Sequence, residues 1–453
     1  MLRLSLPQAR LATGNRVYHV GMLLPQAQSL VLSFEEARRV VEEHASRLIA
    51  GGGAGKYESA ELLQAAGRTL AEPVAADRDI PPFARSMRDG YAVRAADLSQ
   101  LPASLKVAGE IKAGPQPAAL RLELKAGEAI SIMTGAPVPR GADAVVMIEY
   151  TVLTDDRVQI ARGVSPGENV VAQGAEAAKG GLLLAAGTRL NETAIALAAS
   201  VGKSRLQVFA RPQVAVLTTG DEIVDVEADP GPAQIRNSNS YSLAAQIKAA
   251  GGEPVLLPIA PDEPHKLRQL MEQGLQCDLL IMTGGVSMGR YDLVEQVLGE
   301  MHAEFFFTGA KIQPGRPVVF GRVPSRSWGS RSRFHSGALA RHEYFFGLPG
   351  NPISTMVTFE LFARPLVEAL SGMLPRPLCF LHVLLESEIR VKTGLKRFLP
   401  AILSGENEDS QVELVPWRGS GDIAAQARAN CYIVIPPDRE HIAAGEWVAV
   451  MMR

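Results

Sequence analysis

The chain has 453 residues, of which 47% are hydrophobic and 21% are charged, as is usual for a globular protein. This length predicts about two to four domains, and the net charge of −2 gives no reason to expect a nucleic-acid partner or an acidic membrane partner. No apolar run approaches the ~20 residues of a transmembrane helix, and the N-terminus lacks the ~7–15-residue apolar core of a signal peptide. Cys277, Cys379 and Cys431 have no metal-type spacing, which indicates reduced core thiols in a cytosolic protein.

The first predicted element is a helix near the N-terminus. Residues 1–31 carry short apolar stretches without a period, and we expect a disordered leader or a start site assigned too far upstream. Ser33 and Glu36 have the spacing of a capping box, which predicts a helix from Phe34 to Ile49. A second helix is predicted from Ser59 to Gly67.

Periodicity divides the rest of the chain into three parts. Residues 83–171 show short alternating runs between Gly and Pro turns, with a strand at Val145–Ile148, and predict a β-rich domain. Residues 207–371 alternate strands and helices, which predicts an α/β domain with a parallel sheet and covering helices. Residues 372–453 are rich in strands and predict a small β-barrel-like domain. The predicted elements of the last two parts are strands Val214–Thr218, Val255–Ile259, Leu279–Met282, Phe380–Leu385, Val412–Val415, Cys431–Ile435 and Trp447–Met451, and helices Ser240–Ala250 and Pro264–Gln273.

Four loops adjoin predicted strands of the α/β domain. After Leu279–Met282 come Gly284 and Gly285, which permit close backbone approach and can cradle an anion, and then Asp292, which could hold a divalent cation. The other loops are TTGDE, KIQPGRP and LPGNPIS. Because open α/β sheets bind ligands outside the carboxyl ends of their strands, these loops predict one pocket for a phosphorylated ligand and its metal. For the glycines alone, an ordinary strand-to-helix turn is the alternative.

The motifs of these loops, taken together, carry a family resemblance. In order, TTGDE, TGGVSMGRYD, PGRP and LPGNPIS resemble the molybdopterin-binding domain of molybdenum cofactor biosynthesis. Upstream, SMRDGYAV and ISIMTGAPVPRGADAVVMIE resemble molybdopterin molybdenumtransferase, the bacterial counterpart of the gephyrin E domain. The resemblance runs from about Leu32 to the C-terminus. It implies an elongated domain, residues 32–82 and 172–206, into which the β-rich domain is inserted.

The resemblance also implies an activity. The family enzyme takes adenylylated molybdopterin and molybdate, inserts molybdenum at the dithiolene and releases AMP, with Mg²⁺ as cofactor. We therefore expect a cytoplasmic homodimer whose cleft draws on two subunits. Molybdopterin adenylyltransferase and apo-molybdoenzymes are candidate partners.

Specific residues match the family motifs. Asp89 matches the essential aspartate, Glu222 and Asp292 are the candidate Mg²⁺ ligands, and Asp221 is the expected helix cap. The predicted molybdate ligands are Arg316, Ser354 and Ser420. The predicted substrate-binding residues are Ser131, Thr134, Thr219, Gly220, Gly284, Gly285, Ser287, Lys311, Pro314, Gly315, Gly350 and Asn351.

Several of these residues have a purely structural alternative. Asp89 could be the first residue of an Asp-Gly turn, and Ser131 and Thr134 could be turn hydroxyls. Glu222 could be a first-turn acid favoured by a helix dipole, and Arg316 a surface cation.

The chain departs from the family pattern at several positions. Gln313 stands where lysine is common, Ala175 and Glu176 stand where Glu-Asp is usual, and Pro400 stands where an arginine is usual. Each change leaves fewer charges around the ligand. The Ser-, Gly- and Arg-rich segment 322–343 is longer than the family connection, and a flexible insertion is the favoured reading over a basic lid.

Two other functions are consistent with part of the sequence. One is molybdopterin adenylyltransferase, which shares the TGGVS and LPGNP loops; the DGYAV and MTGAP segments and the C-terminal domain argue against it. The other is a non-catalytic carrier of the cofactor, favoured by the departures at Gln313, Glu176 and Pro400. Retention of Asp89, Glu222 and Asp292 argues for catalysis.

Overall fold

The computed structural model describes residues 30–50, 56–114, 121–285, 293–324, 342–374 and 376–453. Most of the predicted leader, Ser287, Asp292 and nearly all of the 322–343 insertion therefore lie outside the described residues. Within the described ranges, no helix is both long enough and apolar enough to cross a membrane.

The first helix spans Phe34–Ala50 and begins with the predicted capping box. Ser33 Oγ accepts a hydrogen bond from the Glu36 N–H at 3.2 Å, and the Glu36 carboxylate accepts one from the Ser33 N–H at 2.9 Å. Phe34 packs 5.4 Å from the ring of Phe398 and belongs to the core of the α/β domain. The domain boundaries predicted from the sequence assign this helix to the elongated domain, but its buried face packs on the α/β domain.

The predicted helix Ser59–Gly67 is wrong. The segment starts as the strand Tyr57–Glu61, paired antiparallel with Arg205–Phe209, and continues as turns. Its Ala, Leu, Glu and Gln residues have high helix propensity, but Ala60 and Ala65 are buried in a core that includes Leu206 and Val208 of that distant strand. Pairing with a strand far along the chain overrides that local preference. The elongated domain also contains the antiparallel pair Val74–Ala75 with Leu182–Leu184 and the helix Glu192–Ser200. A further antiparallel pair, Arg85–Ser86 with Val170–Val171, joins the two ends of the inserted segment.

The β-rich domain is one six-stranded sheet with a buried apolar cluster on each face. The order of the strands across the sheet differs from their order in the sequence. Across the sheet, the strands are Ala144–Met147, Gly90–Val93, Glu128–Ile132, Ala103–Ile111, Arg157–Ile160 and Thr151–Thr154. The predicted strand Val145–Ile148 is confirmed within one residue.

The α/β domain is built on a second six-stranded sheet, covered on both faces by helices. Alternate residues of its central strands enter the two cores, which explains their continuous apolar runs. In order, the strands are Glu253–Leu256, Gln213–Thr218, Leu279–Thr283, His342–Leu348, Val319–Pro324 and Glu304–Phe307. The helices are Asn239–Ala249, Pro264–Gly274, Leu293–Glu300 and a continuous stretch of α-helix Pro352–Thr358, π-helix Phe359–Ala363 and α-helix Arg364–Leu370.

Two sequence expectations for this domain need correction. The sheet is not wholly parallel, because Val319–Pro324 runs antiparallel to His342–Leu348 and Glu304–Phe307 runs antiparallel to Val319–Pro324. Asp221 does not cap a helix: the chain after Thr218 forms a turn, and the next helix begins only at Asn239.

The C-terminal domain is a closed five-stranded β-barrel, as predicted. Its strands are Phe380–Leu385, Lys396–Ser404, Gln411–Leu414, Cys431–Ile435 and Trp447–Met452, with the helix Ile423–Arg428 beside them. The strand Ile312–Gln313 of the α/β domain pairs in parallel with Lys396–Ser404 and joins the two domains. Cys431 is buried in the barrel, where burial raises the pKa of its thiol to about 11, but Cys379 is exposed, so the expectation of core thiols is wrong for Cys379.

The remaining elements are short. The strand pairs are Val31–Leu32 with Gly309–Ala310, Ile223–Val224 with Ile235–Arg236, and Ile389–Arg390 with His441–Ile442. The 3₁₀ helices are Ala95–Leu98, Ile148–Tyr150 and Asn407–Asp409.

Candidate functional site

The four predicted loops meet at one edge of the α/β sheet. Thr218 lies beside Thr283, and Thr283 lies beside Leu348, so three parallel strands end at the same level. The PGRP loop reaches this edge differently, since it leads into the amino end of the antiparallel strand, where Val319 lies beside Gly347. The predicted common edge is therefore correct, although the strand direction behind one loop was not predicted.

Backbone contacts between the loops explain their glycines. Gly284 and Gly285 have φ of +89° and +59°, which favour glycine. A Cβ on Gly284 would lie 2.5 Å from the Thr219 carbonyl oxygen, and a Cβ on Gly350 would lie 3.5 Å from Gly284 Cα. The Thr219 N–H also donates to the Thr283 carbonyl at 3.0 Å. Three of the loops are thus packed together at Gly284 and Gly350, and a side chain at Gly284 would overlap the Thr219 carbonyl.

Carboxylates cluster beside this contact. A Cβ on Gly220 would lie 2.5 Å from Glu222 Oε2, so the Glu222 carboxylate folds back over the glycine. Asp221 Oδ1 accepts from the Asp262 N–H at 3.1 Å. Burial, followed by the negative charges of Asp221 and Glu222, raises the pKa of the Asp262 carboxyl. This corner of the sheet edge is electronegative, with the hard oxygen donors that Mg²⁺ prefers.

The second predicted metal ligand, Asp292, lies outside the described residues, as does Ser287. Among the residues that the structure describes, no group of three or more His, Cys, Asp or Glu side chains is arranged to hold a metal ion. Glu222 fits a single hard-ligand position, and its exposed carboxylate is free of any ion pair to a described Lys or Arg.

The three predicted molybdate ligands are drawn together by backbone contacts. Gly315, at φ +102°, packs against Thr358, and a Cβ there would lie 3.5 Å from the Ser354 carbonyl oxygen. The PGRP loop with its exposed Arg316 therefore lies against the helix that carries the buried Ser354. The Ile353 N–H donates to the Ser420 carbonyl at 2.9 Å, which brings the C-terminal domain to the same helix.

Pro314 and Asn351 also lie at this edge, Pro314 buried after a cis Gln313–Pro314 bond and Asn351 at the start of the helix Pro352–Thr358. Lys311 is exposed, and its charge contributes to lowering the pKa of Glu36, after the dominant hydrogen bonds from Ser33.

The remaining predicted residues lie in the β-rich domain. The Thr134 N–H donates to Asp89 Oδ1 at 2.6 Å, and this bond is the main cause of the lowered pKa of the Asp89 carboxyl. Ser131 lies opposite Tyr91 in the neighbouring strand. Asp89 is therefore both a turn residue and an exposed, ionised carboxylate. Among the hydrogen bonds of the described residues, none joins the Asp89 loop to the four loops of the α/β domain.

The departures from the family pattern have distinct surroundings. Glu176 forms an ion pair with Arg85 at 2.6 Å, and Pro400 lies opposite Tyr432 within the barrel. Gln313 lies beside Arg397, a buried arginine whose Nε has no hydrogen-bond partner among the described residues. Burial lowers the pKa of Arg397. This neighbour has no local signal in the sequence, because the pairing of Gln313 with Arg397 joins two domains.

Sequence reasoning also missed the polar cluster beneath the loops. Asn239 Nδ2 donates to Thr283 Oγ1 at 3.0 Å and to the Gly350 carbonyl at 2.7 Å. Thr219 Oγ1 and Asn239 Oδ1 are buried without a hydrogen-bond partner among the described residues. The run NSNS, residues 237–240, spans the start of the helix and is typical of a helix start, so it does not by itself distinguish a site residue from a cap.

Comparisons with known proteins agree with this architecture. Three family models match the chain: "MoeA N-terminal region (domain I and II)" over residues 32–202, "Probable molybdopterin binding domain" over 215–369, and "MoeA C-terminal region (domain IV)" over 383–452. The molybdopterin molybdenumtransferase of Nostoc sp. is 34% identical over 87% of this chain and 88% of its own. That of Bacillus subtilis is 31% identical over 88% of this chain and 90% of its own.

Solved structures show the same fold. Two crystal structures of a molybdopterin biosynthesis MoeA protein from Pyrococcus horikoshii match with TM-scores of 0.66 and 0.70, at 30% and 26% identity. Both cover 93% of this chain, and 99% and 100% of theirs. With the ordered loop motifs at one sheet edge and this identity over most of its length, the chain belongs to the molybdopterin molybdenumtransferase family.

Proposed function

We propose that the protein transfers molybdenum from molybdate to adenylylated molybdopterin and releases AMP. The observation that carries the proposal is the packing of the TTG, TGG and LPGN loops at Gly284, Gly350 and Thr219. Close-packed glycines at strand ends leave backbone N–H groups free to face an anionic ligand, as phosphate sites require. The named activity of the relatives supports the same reaction.

The roles of the residues follow from their chemistry. Arg316 supplies a fixed positive charge, and Ser354 and Ser420 supply hydroxyl donors, which suits a tetrahedral oxyanion. Gly284 and Gly285 would hold phosphate groups through their backbone N–H groups. The N–H groups of Thr219 and Gly220 already donate to the Thr283 and Ala260 carbonyls, so these two residues would form the wall of the pocket. Asp89 is held in its ionised form by the Thr134 N–H, so at neutral pH it acts as a hydrogen-bond acceptor or a proton acceptor.

Magnesium is part of the proposal. Glu222 and Asp292 would hold the ion, and its charge would neutralise phosphate oxygens and polarise the phosphoanhydride bond. The corner at Asp221, Glu222 and Asp262 supports this, because the charges of Asp221 and Glu222 contribute, after burial, to raising the pKa of Asp262, and a cation would offset them.

The experiment is AMP release measured with adenylylated molybdopterin, with and without molybdate. Molybdate-dependent AMP release supports the proposal. ATP-dependent formation of adenylylated molybdopterin would instead indicate an adenylyltransferase. Tight binding of the substrate without AMP release would indicate a carrier, the reading that Gln313 and Pro400 favour.

We further propose a homodimer whose pocket is shared between subunits. Three large apolar side chains near Asp89 are exposed, those of Phe83, Met87 and Met133. Apolar side chains that cluster at a surface are typical of an interface. An interface there would bring Asp89 to the four loops of the other subunit. Cytoplasmic location is also proposed, since all three cysteines are free. Molybdopterin adenylyltransferase and apo-molybdoenzymes remain the proposed partners.

Mixing two inactive variants tests the shared pocket. Asp89→Asn and Asp292→Asn homodimers should each be inactive, and a heterodimer would contain one pocket with both acids intact. Partial recovery of AMP release after subunit exchange is expected. Heterodimers confirmed by mass measurement that stay inactive would rule out sharing, and a monomer at micromolar concentration would rule out the dimer.

A further inference from the structure

The helix Asn239–Ala249 begins directly beneath the site loops, and its first turn is unusually polar for a buried position. Thr218 Oγ1, at the end of one strand, lies 2.8 Å from Ser240 Oγ. Asn239, only 8% exposed, donates from Nδ2 to Thr283 Oγ1 at the end of the next strand and to the Gly350 carbonyl in the LPGNP loop. One helix start is therefore bonded to three of the elements that form the sheet edge.

The Asn239 amide lies at the junction of two loops. Thr283 Oγ1, which accepts from Asn239, donates to the Pro349 carbonyl at 3.1 Å. On the other side of the junction, the loops touch at Gly284 and Gly350. Loop separation is thus limited by van der Waals contact at the glycines and by hydrogen bonds through the side chains of Asn239 and Thr283 below them.

Asn239 is not placed to contact a ligand itself. Both hydrogens of its amide nitrogen are directed to the loops, and Oδ1 is buried without a partner among the described residues. Removing the side chain would leave the buried Thr283 hydroxyl and the part-buried Gly350 carbonyl short of a hydrogen bond, which polar groups out of contact with water avoid.

We propose that Asn239 is a positioning residue, whose amide holds the TGG loop and the LPGNP loop at the separation that a phosphorylated ligand requires. The identity of the ligand rests on the proposed function. The positioning itself is a property of the free protein, so it can be measured without substrate.

Gln246 provides a matched control on the same helix. Its Nε2 also donates two hydrogen bonds, to the Met356 carbonyl at 3.0 Å and to Glu360 Oε1 at 2.8 Å. Its Oε1 is likewise buried and lacks a partner among the described residues. Gln246 therefore loses equivalent contacts on truncation, but those contacts join two helices and do not reach the loops.

The test compares Asn239→Ala and Gln246→Ala with the parent in the full-length protein. Amide hydrogen exchange is measured in peptides that cover residues 279–285 and 346–354. We expect Asn239→Ala to accelerate exchange in both peptides by about tenfold or more, as the loss of one or two ordinary hydrogen bonds would. Gln246→Ala should leave both peptides at the parent rate. Parent rates in Asn239→Ala, or equal acceleration in the two variants, would overturn the inference.

If Asn239→Ala does not fold, Asn239→Asp replaces it, because the carboxylate keeps the shape but offers no N–H to Thr283 or Gly350; the same exchange pattern is expected. A second readout is the KM for adenylylated molybdopterin, which should rise about tenfold in the Asn239 variant alone. A parent that releases no AMP defeats the proposed function, while the exchange data still decide the role of Asn239. If the parent protein releases AMP and the Asn239 variant has the parental KM and the parental rates of amide exchange, only the positioning role is refuted.

Discussion

Gly284 is the position where backbone geometry makes the sharpest prediction. Its φ of +89° costs a residue with a side chain about 1–2 kcal/mol. A Cβ there would also lie 2.5 Å from the Thr219 carbonyl oxygen and 3.1 Å from Thr219 Oγ1. Since both neighbours are part of the packed loop contact, relief of the overlap should cost about a further 1–3 kcal/mol. We expect Gly284→Ala to lower the free energy of unfolding of the α/β domain by about 2–5 kcal/mol.

Gly180→Ala separates the two contributions. Gly180 has a similar φ of +81°, but no atom lies within 4 Å of its added Cβ. This variant should lose only the conformational part, about 1–2 kcal/mol. The assay is the midpoint of urea unfolding, together with AMP release at a temperature where both variants are folded. Gly284→Ala should lose AMP release and Gly180→Ala should retain it. Equal shifts of the midpoint, or parental AMP release by Gly284→Ala, would refute the role of the packed loops.

Four further substitutions or deletions test the site. Arg316→Ala should raise the molybdate concentration for half-maximal insertion, because it removes a charge-assisted donor worth roughly 1.5–3 kcal/mol; an unchanged molybdate dependence would place the oxyanion elsewhere. Asp89→Asn should abolish insertion but keep substrate binding, since asparagine can still accept from the Thr134 N–H; insertion at the parent rate would reduce Asp89 to a turn former. Glu222→Gln should raise the Mg²⁺ requirement for AMP release and, in metal-free protein, lower the pKa of Asp262 by removing a neighbouring negative charge; carboxyl titration by NMR measures the second effect, and no change in either would argue against this corner as the metal site. Deletion of residues 325–340 should leave stability and substrate affinity at parent values, and a large loss of affinity would favour the lid instead.

Much of the fold was accessible from the sequence because its signals are local. The capping box at Ser33 and Glu36 and the buried runs at Gln213–Thr218 and Leu279–Thr283 depend on neighbours a few residues apart. The prediction of a helix at Ser59–Gly67 was wrong for the opposite reason. The partner of strand Tyr57–Glu61 is Arg205–Phe209, which is distant in the sequence, so helix propensity was the only local signal. Strand direction at Val319–Pro324 is likewise set by the tertiary fold, and no local pattern distinguishes a parallel strand from an antiparallel one.

The site residues also divide into those that have a local signal in the sequence and those that do not. Glycine positions such as Gly284 could be predicted, because a turn that needs positive φ selects glycine locally. Asn239 could not, since its importance comes from hydrogen bonds to Thr283, at the end of a strand, and to Gly350, in a loop, both distant in the sequence. A run of Asn and Ser before a helix has the same appearance whether it caps the helix or holds loops together.

The departures from the family pattern increase the importance of this geometry. With glutamine at 313 and proline at 400, fewer side-chain charges are available to hold an anionic ligand. Arg397 does not replace them directly, because one of its guanidinium nitrogens donates to the Lys392 carbonyl and the side chain is buried. Affinity would then depend more on backbone N–H groups, which act only if the loops are held at the correct separation. Substitutions that shift the loops, at Gly284 or Asn239, should therefore impair ligand binding more than removal of a single peripheral charge does.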